Sequence, residues 1–341
     1  MDKIRLLDLD STELKSFCDS MGLPKYRAGQ IKDWLLKGRS FGEMTNLPAE
    51  LRDRLSANAV TGIPAVADVL RSSVDETVKF LFELEGGVLV ESVLMKYAYG
   101  YSVCISSQAG CKMGCRFCAS AGVAFSRDLT GGELLGQIIA IERHENIKVS
   151  HVVIMGIGEP MDNYDNVVRF LKNVSSADGL NISLRKISLS TCGVVPGILR
   201  LKDEGLPVTL SVSLHNPFDD ERSEIMPVNK IHGLDELFAA CREYVNATGR
   251  RITFEYAVIE GQNDSKRHAL KLAERVRGML CHVNLIPVNK IDGGKYRRPS
   301  RETIESFQKT LESKGVAVTV RRELGRDINA ACGQLRKRVI S

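Results

Sequence analysis

VCISSQAGCKMGCRFC, residues 103–118, opens as a strand-like run and then breaks at Gly110 into a loop carrying three cysteines within eight positions. The sequence beyond it repeats one order: strand, turn, amphipathic helix. Strand-like runs stand at 103–107 (VCISS), 151–157 (HVVIMGI), 186–191 (KISLST), 208–215 (VTLSVSLH), 251–259 (RITFEYAVI), 282–288 (HVNLIPV) and 316–322 (VAVTVRR). Helical spacing fills the gaps, with Leu134, Leu135, Ile138 and Ile139 on one face, then Val167, Val168, Leu171 and Val174, and later Leu270, Leu272, Ala273 and Val276. Such alternation predicts an α/β fold of parallel strands joined by right-handed crossovers, and about six units predict a partial (β/α)6-type barrel. In barrels the chemistry collects at the C-terminal ends of the strands.

Upstream, residues 1–60 read as a helical accessory module, with Leu14, Phe17 and Cys18, then Ile31, Trp34, Leu35 and Leu36, at helical spacing. Residues 61–102 read as a short linking β-sheet, in which FLFEL and VLVESVLM flank the turn Glu85-Gly86-Gly87. The core barrel is expected over 103–323 and a C-terminal tail over 324–341.

The 341 residues are 43% hydrophobic and 26% charged, which excludes disordered and fibrous classes. No stretch approaches the ~20 apolar residues of a membrane helix, and the N terminus lacks a signal peptide's apolar core, so a cytoplasmic protein with no membrane partner is expected. A net charge of +5 permits a nucleic-acid partner without requiring one. Nine cysteines in such a chain read as thiols, metal ligands or redox groups rather than a disulfide framework.

Cys111, Cys115 and Cys118 lie four and three residues apart, close enough for one loop to aim all three at one metal centre. Soft thiolates suit iron–sulfur clusters or zinc. Structural zinc takes four protein ligands and would need Cys104 or a distant histidine. Three cysteines without an evident fourth leave one iron of a [4Fe–4S] cluster open, and a trio of small buried hydrophobes is the remaining reading. The C-x3-C-x2-C pattern, with Phe117 before its last cysteine, resembles the signature of the radical S-adenosylmethionine superfamily. That resemblance implies a [4Fe–4S] cluster that cleaves S-adenosylmethionine into a 5′-deoxyadenosyl radical.

Gly156-Ile-Gly158-Glu159-Pro160 follows the strand HVVIM; glycines let backbone approach a ligand and a glutamate can accept bonds from an ammonium. By itself this is a tight turn. Behind the cysteine cluster it resembles the Gly-Glu-Pro motif that holds the cofactor's amino group. Ser190, then Ser213-Leu214-His215, and then Asn289 end further strands, where each is either a strand-end cap or a ligand for ribose, carboxylate or adenine.

VESV, CISSQAGCKMGCRFC, MGIGEP, SLST, SLH, NLIPVN and DINAACGQL, in this order over nearly the whole chain, resemble the radical adenine-C2 RNA methyltransferases, the RlmN/Cfr group. The resemblance implies methylation of an adenosine in the peptidyl-transferase centre of 23S rRNA and of one beside the anticodon of tRNA. It further implies two S-adenosylmethionine molecules per turnover, Cys332 as the S-methylcysteine carrier, and Cys104 as the resolving thiol that releases RNA through a transient disulfide. Glu91 matches the family's proton acceptor; otherwise it is an exposed strand carboxylate. An external reductant such as flavodoxin and a monomeric chain complete the expectation. Asn329 departs from the aspartate frequent there in the family.

The loop from Lys290 to Arg301 combines glycines, five cations and Tyr296, and the tail adds Arg321, Arg322, Arg326, Arg336, Lys337 and Arg338, a composition suited to RNA or to plain solvation. Two alternatives stay open: methylation at C8 of the same ribosomal adenosine, and a non-catalytic zinc or iron–sulfur RNA-binding module.

Overall fold

The structure, a computed structural model, describes residues 3–289 and 295–330. Cys332, residues 290–294 and the tail cations Arg336, Lys337 and Arg338 lie outside the described residues. Helices α1 (Ser11–Ser20), α2 (Tyr26–Leu36) and α3 (Ala49–Asn58) make the N-terminal module. α1 begins where the Asp10 carboxylate accepts the amides of Thr12 and Glu13 while Glu13 accepts the Asp10 amide, satisfying donors that a first turn leaves open. Leu14, Phe17, Cys18, Ile31 and Leu35 are buried and Trp34 is half-buried.

One ten-stranded sheet follows, ordered along the chain. Strands β1 (Ala65–Arg71), β2 (Val78–Leu84), β3 (Val88–Tyr97) and β4 (Gly100–Ile105) pair antiparallel. From β4 onward every pairing is parallel, through β5 (Val149–Ile154), β6 (Ile187–Thr191), β7 (Thr209–Ser213), β8 (Ile252–Val258), β9 (Cys281–Pro287) and β10 (Val318–Val320). The crossovers carry α4 (Gly131–Glu145), α5 (Tyr164–Ser175), α6 (Val195–Asp203), α7 (Asp219–Ile225) with α8 (Leu234–Thr248), α9 (Lys266–Arg275) and α10 (Arg301–Glu312). This is the expected α/β partial barrel: six strand–helix units, a final strand, and a sheet whose edges β1 and β10 do not meet. The linking strands join the same sheet.

The strands alternate sharply between faces. Val103, Val152 and Ile187 form one apolar row, and Val212, Phe254 and Val283 another, all buried in the core against the helices. The opposite face carries polar rows: Ser190, Ser211, Thr253 and His282, then Ser213, Glu255, Asn284 and Thr319. On α9 the buried face is Ala269, Leu272 and Ala273, continued by Val276 just after the helix; Leu270, expected there, is 39% exposed, because the helix turns it about 100° away from Ala269.

Two close approaches fix the edges. The Gly132 amide donates to the Asp8 carboxylate at 2.7 Å, and a Cβ at that glycine would stand 2.5 Å from the Leu7 carbonyl carbon, so the N-terminal module seats directly on α4. After β10 the chain lies against the loop joining β1 and β2. The Gly325 amide donates to Asp75 at 2.9 Å, Asp327 accepts the Ser72 hydroxyl at 2.7 Å and the Ser73 amide at 2.8 Å, and Lys79 donates to the Asn329 carbonyl at 3.2 Å. Leu324 and Ala330 pack on Val93, Met95 and Cys104. This strap covers the seam that the open sheet leaves.

Candidate active site

The loops after β4 and β5 are tied together: the amides of Ser107 and Gln108 both donate to the Ile157 carbonyl, at 2.9 and 3.1 Å, and the Glu159 amide donates to the Gln108 side chain at 2.9 Å. That tie brings Cys111, Cys115 and Cys118 to the wall of one cavity of about 180 Å3 at the C-terminal ends of the strands. Gly156, Gly158, Glu159, Ser190, Ser213, His215 and Asn289 line the same cavity. Gly158 adopts φ +109°, and a Cβ there would meet Gln108 at 2.6 Å, so only glycine permits this join. Leu214 does not line the cavity; its side chain is buried in the core, and its carbonyl accepts the Arg222 guanidinium at 2.9 Å.

Glu159 is buried, with its carboxylate accepting the amides of Met161 at 3.0 Å and Cys192 at 2.7 Å. Desolvation by burial still pushes its pKa above the usual range, against the pull of those bonds. Burial likewise pushes the Cys111 thiol up to about 11 and the Cys115 thiol higher still, with neighbouring thiols and carboxylates adding to both. Burial drives His215 down to about 3; it is neutral, its Nδ1 accepts the Ala257 amide at 2.9 Å, and its ring meets Phe117 edge-on at 4.6 Å.

Among the described residues no three His, Cys, Asp or Glu side chains converge as ligands of a single metal ion. The zinc reading therefore has no preformed site there. Three sulfur donors spread around one cavity are a donor set that fits an iron–sulfur cluster, which is larger than one ion and bound by thiolates.

Cys104 projects from the concave face of β4 into a second cavity of about 70 Å3, walled also by Val93, Met95, Tyr97, Arg298, Arg322 and Ala330. Cys118, Met155, Asn289 and Arg321 line both cavities, so the two adjoin. Glu91 lines neither. It is buried rather than exposed and pairs with Lys79 at 3.1 Å, the same lysine that holds the Asn329 carbonyl. Its β3 position puts it on the face of Val93 and Met95. Of the basic loop, Tyr296 packs towards Met226 and the cysteine loop, and Arg298 pairs with Glu323 at 2.7 Å.

Three residues escaped the sequence. Arg222, fully buried on α7, donates to the Cys192, Ser213 and Leu214 carbonyls and to Asn229, so it fastens the ends of β6 and β7. Glu255 lines the larger cavity, its pKa raised by burial, and accepts the Asn284 amide at 2.8 Å. Cys192, read as a small hydrophobe, is buried but lines that cavity. The alternation of β8 already aims Glu255 away from the helices, while nothing local marks Arg222.

Comparison with known proteins agrees with this geometry. Residues 105–273 match the radical SAM superfamily, and residues 4–61 match the ribosomal RNA large subunit methyltransferase N-terminal domain. A probable dual-specificity RNA methyltransferase RlmN of Pelotomaculum thermopropionicum is 51% identical over 99% of this chain and 93% of its own length. One from Clostridium beijerinckii is 48% identical over 98% and 96%. The crystal structure of a radical SAM methyltransferase from Sphaerobacter thermophilus, 42% identical, superposes with a TM-score of 0.94 over 97% of this chain and 99% of that one.

Proposed function

The chain belongs to the dual-specificity, RlmN-type radical SAM RNA methyltransferases, and from that premise we propose that it methylates C2 of an adenosine in the peptidyl-transferase centre of 23S rRNA and of the adenosine beside the anticodon in tRNA. The observation that carries the reading is the pair of adjoining cavities, one walled by three thiols and Glu159, the other by Cys104 and the strap that leads to Cys332. Cys111, Cys115 and Cys118 would hold a [4Fe–4S] cluster. Gly158, Glu159, Ser190, Ser213, the Leu214 backbone, His215 and Asn289 would seat S-adenosylmethionine, two molecules serving each turnover. When bound, the cluster supplies the electron that opens the cofactor.

The remaining work falls to the chain's own groups. Cys332 carries the methyl group as a thioether, because adenine C2 is electron-poor and a polar transfer to it is unfavourable. Glu91 is the acceptor for the C2 proton in this reading, a role that requires its pair with Lys79 to open, since the buried carboxylate lines neither cavity. With the carried carbon by then bonded to C2 through the radical chemistry, Cys104 attacks the Cys332 sulfur: the S–C bond breaks, an S–S bond forms and the freed carbon takes a proton to become the C2 methyl, leaving a disulfide that an external reductant such as flavodoxin must open. Ala330, two positions before Cys332 in sequence, lines the cavity of Cys104, which supports that pairing. Among the described residues no helix is long and apolar enough to cross a membrane; the proposed enzyme is a monomer acting on cytoplasmic RNA.

Mass spectrometry of 23S rRNA and tRNA from cells lacking the protein tests the reading: the C2 methyl should vanish from both. Its persistence would sink the proposal, and loss of an 8-methyl group instead would reassign the position. Cys104→Ala should accumulate a covalent protein–RNA adduct on denaturing gels, whereas free product at the wild-type yield would remove Cys104 from its role.

A further inference from the structure

We infer that Tyr97 and Tyr99 form a stacking platform for an unpaired nucleobase flanking the methylated adenosine. This rests on the reading that the cavity of Cys104 receives the target base. β3 turns into β4 through Ala98 and Tyr99, with Tyr97 paired to Gly100 across the turn. The two rings are stacked, with centroids 4.9 Å apart and planes 7° from parallel, and the His151 ring lies at 64° to Tyr99 with centroids 4.7 Å apart. Tyr97 lines the Cys104 cavity, while Tyr99 is 61% exposed, so the stack runs from the cavity wall out to solvent. The hydroxyl of Ser150 donates to the Tyr101 carbonyl at 3.0 Å and bonds His151, which fixes the turn against β5.

Aromatic side chains usually contribute through the area they bury. Here the outer ring stands exposed beside a cavity lined by Arg298, Arg321 and Arg322, of which Arg298 is paired with Glu323 on the same wall. Cations for phosphate and a fixed ring for a base are the two ingredients of single-strand recognition. Stacking also suits the breadth of the substrate. A π-face accepts any base, whereas hydrogen bonds to a base edge would favour either the ribosomal or the transfer RNA sequence.

The test uses the full chain, reconstituted anaerobically, with RNA stem-loops carrying either a base or an abasic sugar at each nucleotide next to the target adenosine. Tyr99→Ala should raise KM for the intact RNA about tenfold with kcat within about twofold, the loss of one stacked base. Tyr99→Phe should restore it. Abasic RNA should cost the wild type a similar factor and cost Tyr99→Ala little more, the non-additivity of a direct contact. An unchanged KM in Tyr99→Ala overturns the platform, as do additive effects with abasic RNA at both flanking nucleotides. Wild-type enzyme that opens S-adenosylmethionine but methylates neither RNA overturns instead the reading on which the platform rests.

Discussion

The two faces of the sheet divide the work of this protein. Towards the helices, the rows Val103–Val152–Ile187 and Val212–Phe254–Val283 are closed and apolar, as strands in a parallel sheet usually are on both sides. Towards the concave side the same strands present serine, threonine, histidine, asparagine and Glu255. A sheet that stops short of closing has no need to fill its centre with side chains, so that surface is left for ligands. The comparison teaches that each strand was shaped by two demands one residue apart: stability on one side, chemistry on the other.

Arg222 is where the division should break most visibly. Arg222→Met leaves the Cys192, Ser213 and Leu214 carbonyls at the ends of β6 and β7, and the Asn229 side chain, without their donor and should cost about 3–5 kcal/mol, as measured by urea denaturation, together with RNA methylation. A stable, active variant would mean that the strand ends hold themselves. Leu210→Ala, on the helix face, should cost about 2–4 kcal/mol, while the activity per folded molecule is retained. Loss of activity without loss of stability would erase the contrast between the faces. The smallest effect belongs to Glu255→Gln, which keeps an acceptor for Asn284 and should stay within about 1 kcal/mol of wild type at pH 5.

That last variant also has a pH signature. Burial raises the Glu255 pKa in the folded state, so the folded chain binds its proton more tightly than the unfolded chain does. The wild type is therefore favoured below the ordinary value of 4.5 and loses that contribution as pH rises through the raised value. Glutamine does not titrate, so denaturation at pH 5 and pH 8 should show the variant gaining on wild type with increasing pH. A constant difference would place the Glu255 carboxylate in a solvated setting.

The helix-facing rows were legible because apolar periodicity is local, and all seven core runs became strands. Their ends were less so: HVVIMGI reads as one run, yet β5 stops at Ile154, since Gly156 and Ile157 bond back to Ile105, Ser106 and the loop after β4. β1 was not read at all, because an edge strand with mostly exposed residues has no buried side to announce it. The cysteine loop and the Gly158-Glu159 turn were marked by spacing. Arg222 was not, because a charged residue in Asp219-Asp-Glu-Arg-Ser looks solvated until three distant carbonyls surround it. The Lys79 to Glu91 pair joins two strands and a tail, a meeting that no single stretch encodes.

The strap over the seam has a consequence of its own. Elsewhere the sheet is held by ladders of backbone bonds, but this last cover hangs on side chains at the surface, among them Asp75 and Asp327. Hydrogen bonds from Thr77 and Gly325 hold the Asp75 carboxyl below its usual range despite partial desolvation, and bonds from Ser72 and Ser73 do the same for Asp327. Both contributions are present above the ordinary value of 3.8 and fade as acid protonates the carboxylates. Below pH 3.8, therefore, the strap should loosen before the core does: the Gly325 and Ser73 amides should lose protection from exchange while the helix-backed core keeps its own. The inner chamber can be uncovered without dismantling the protein that built it.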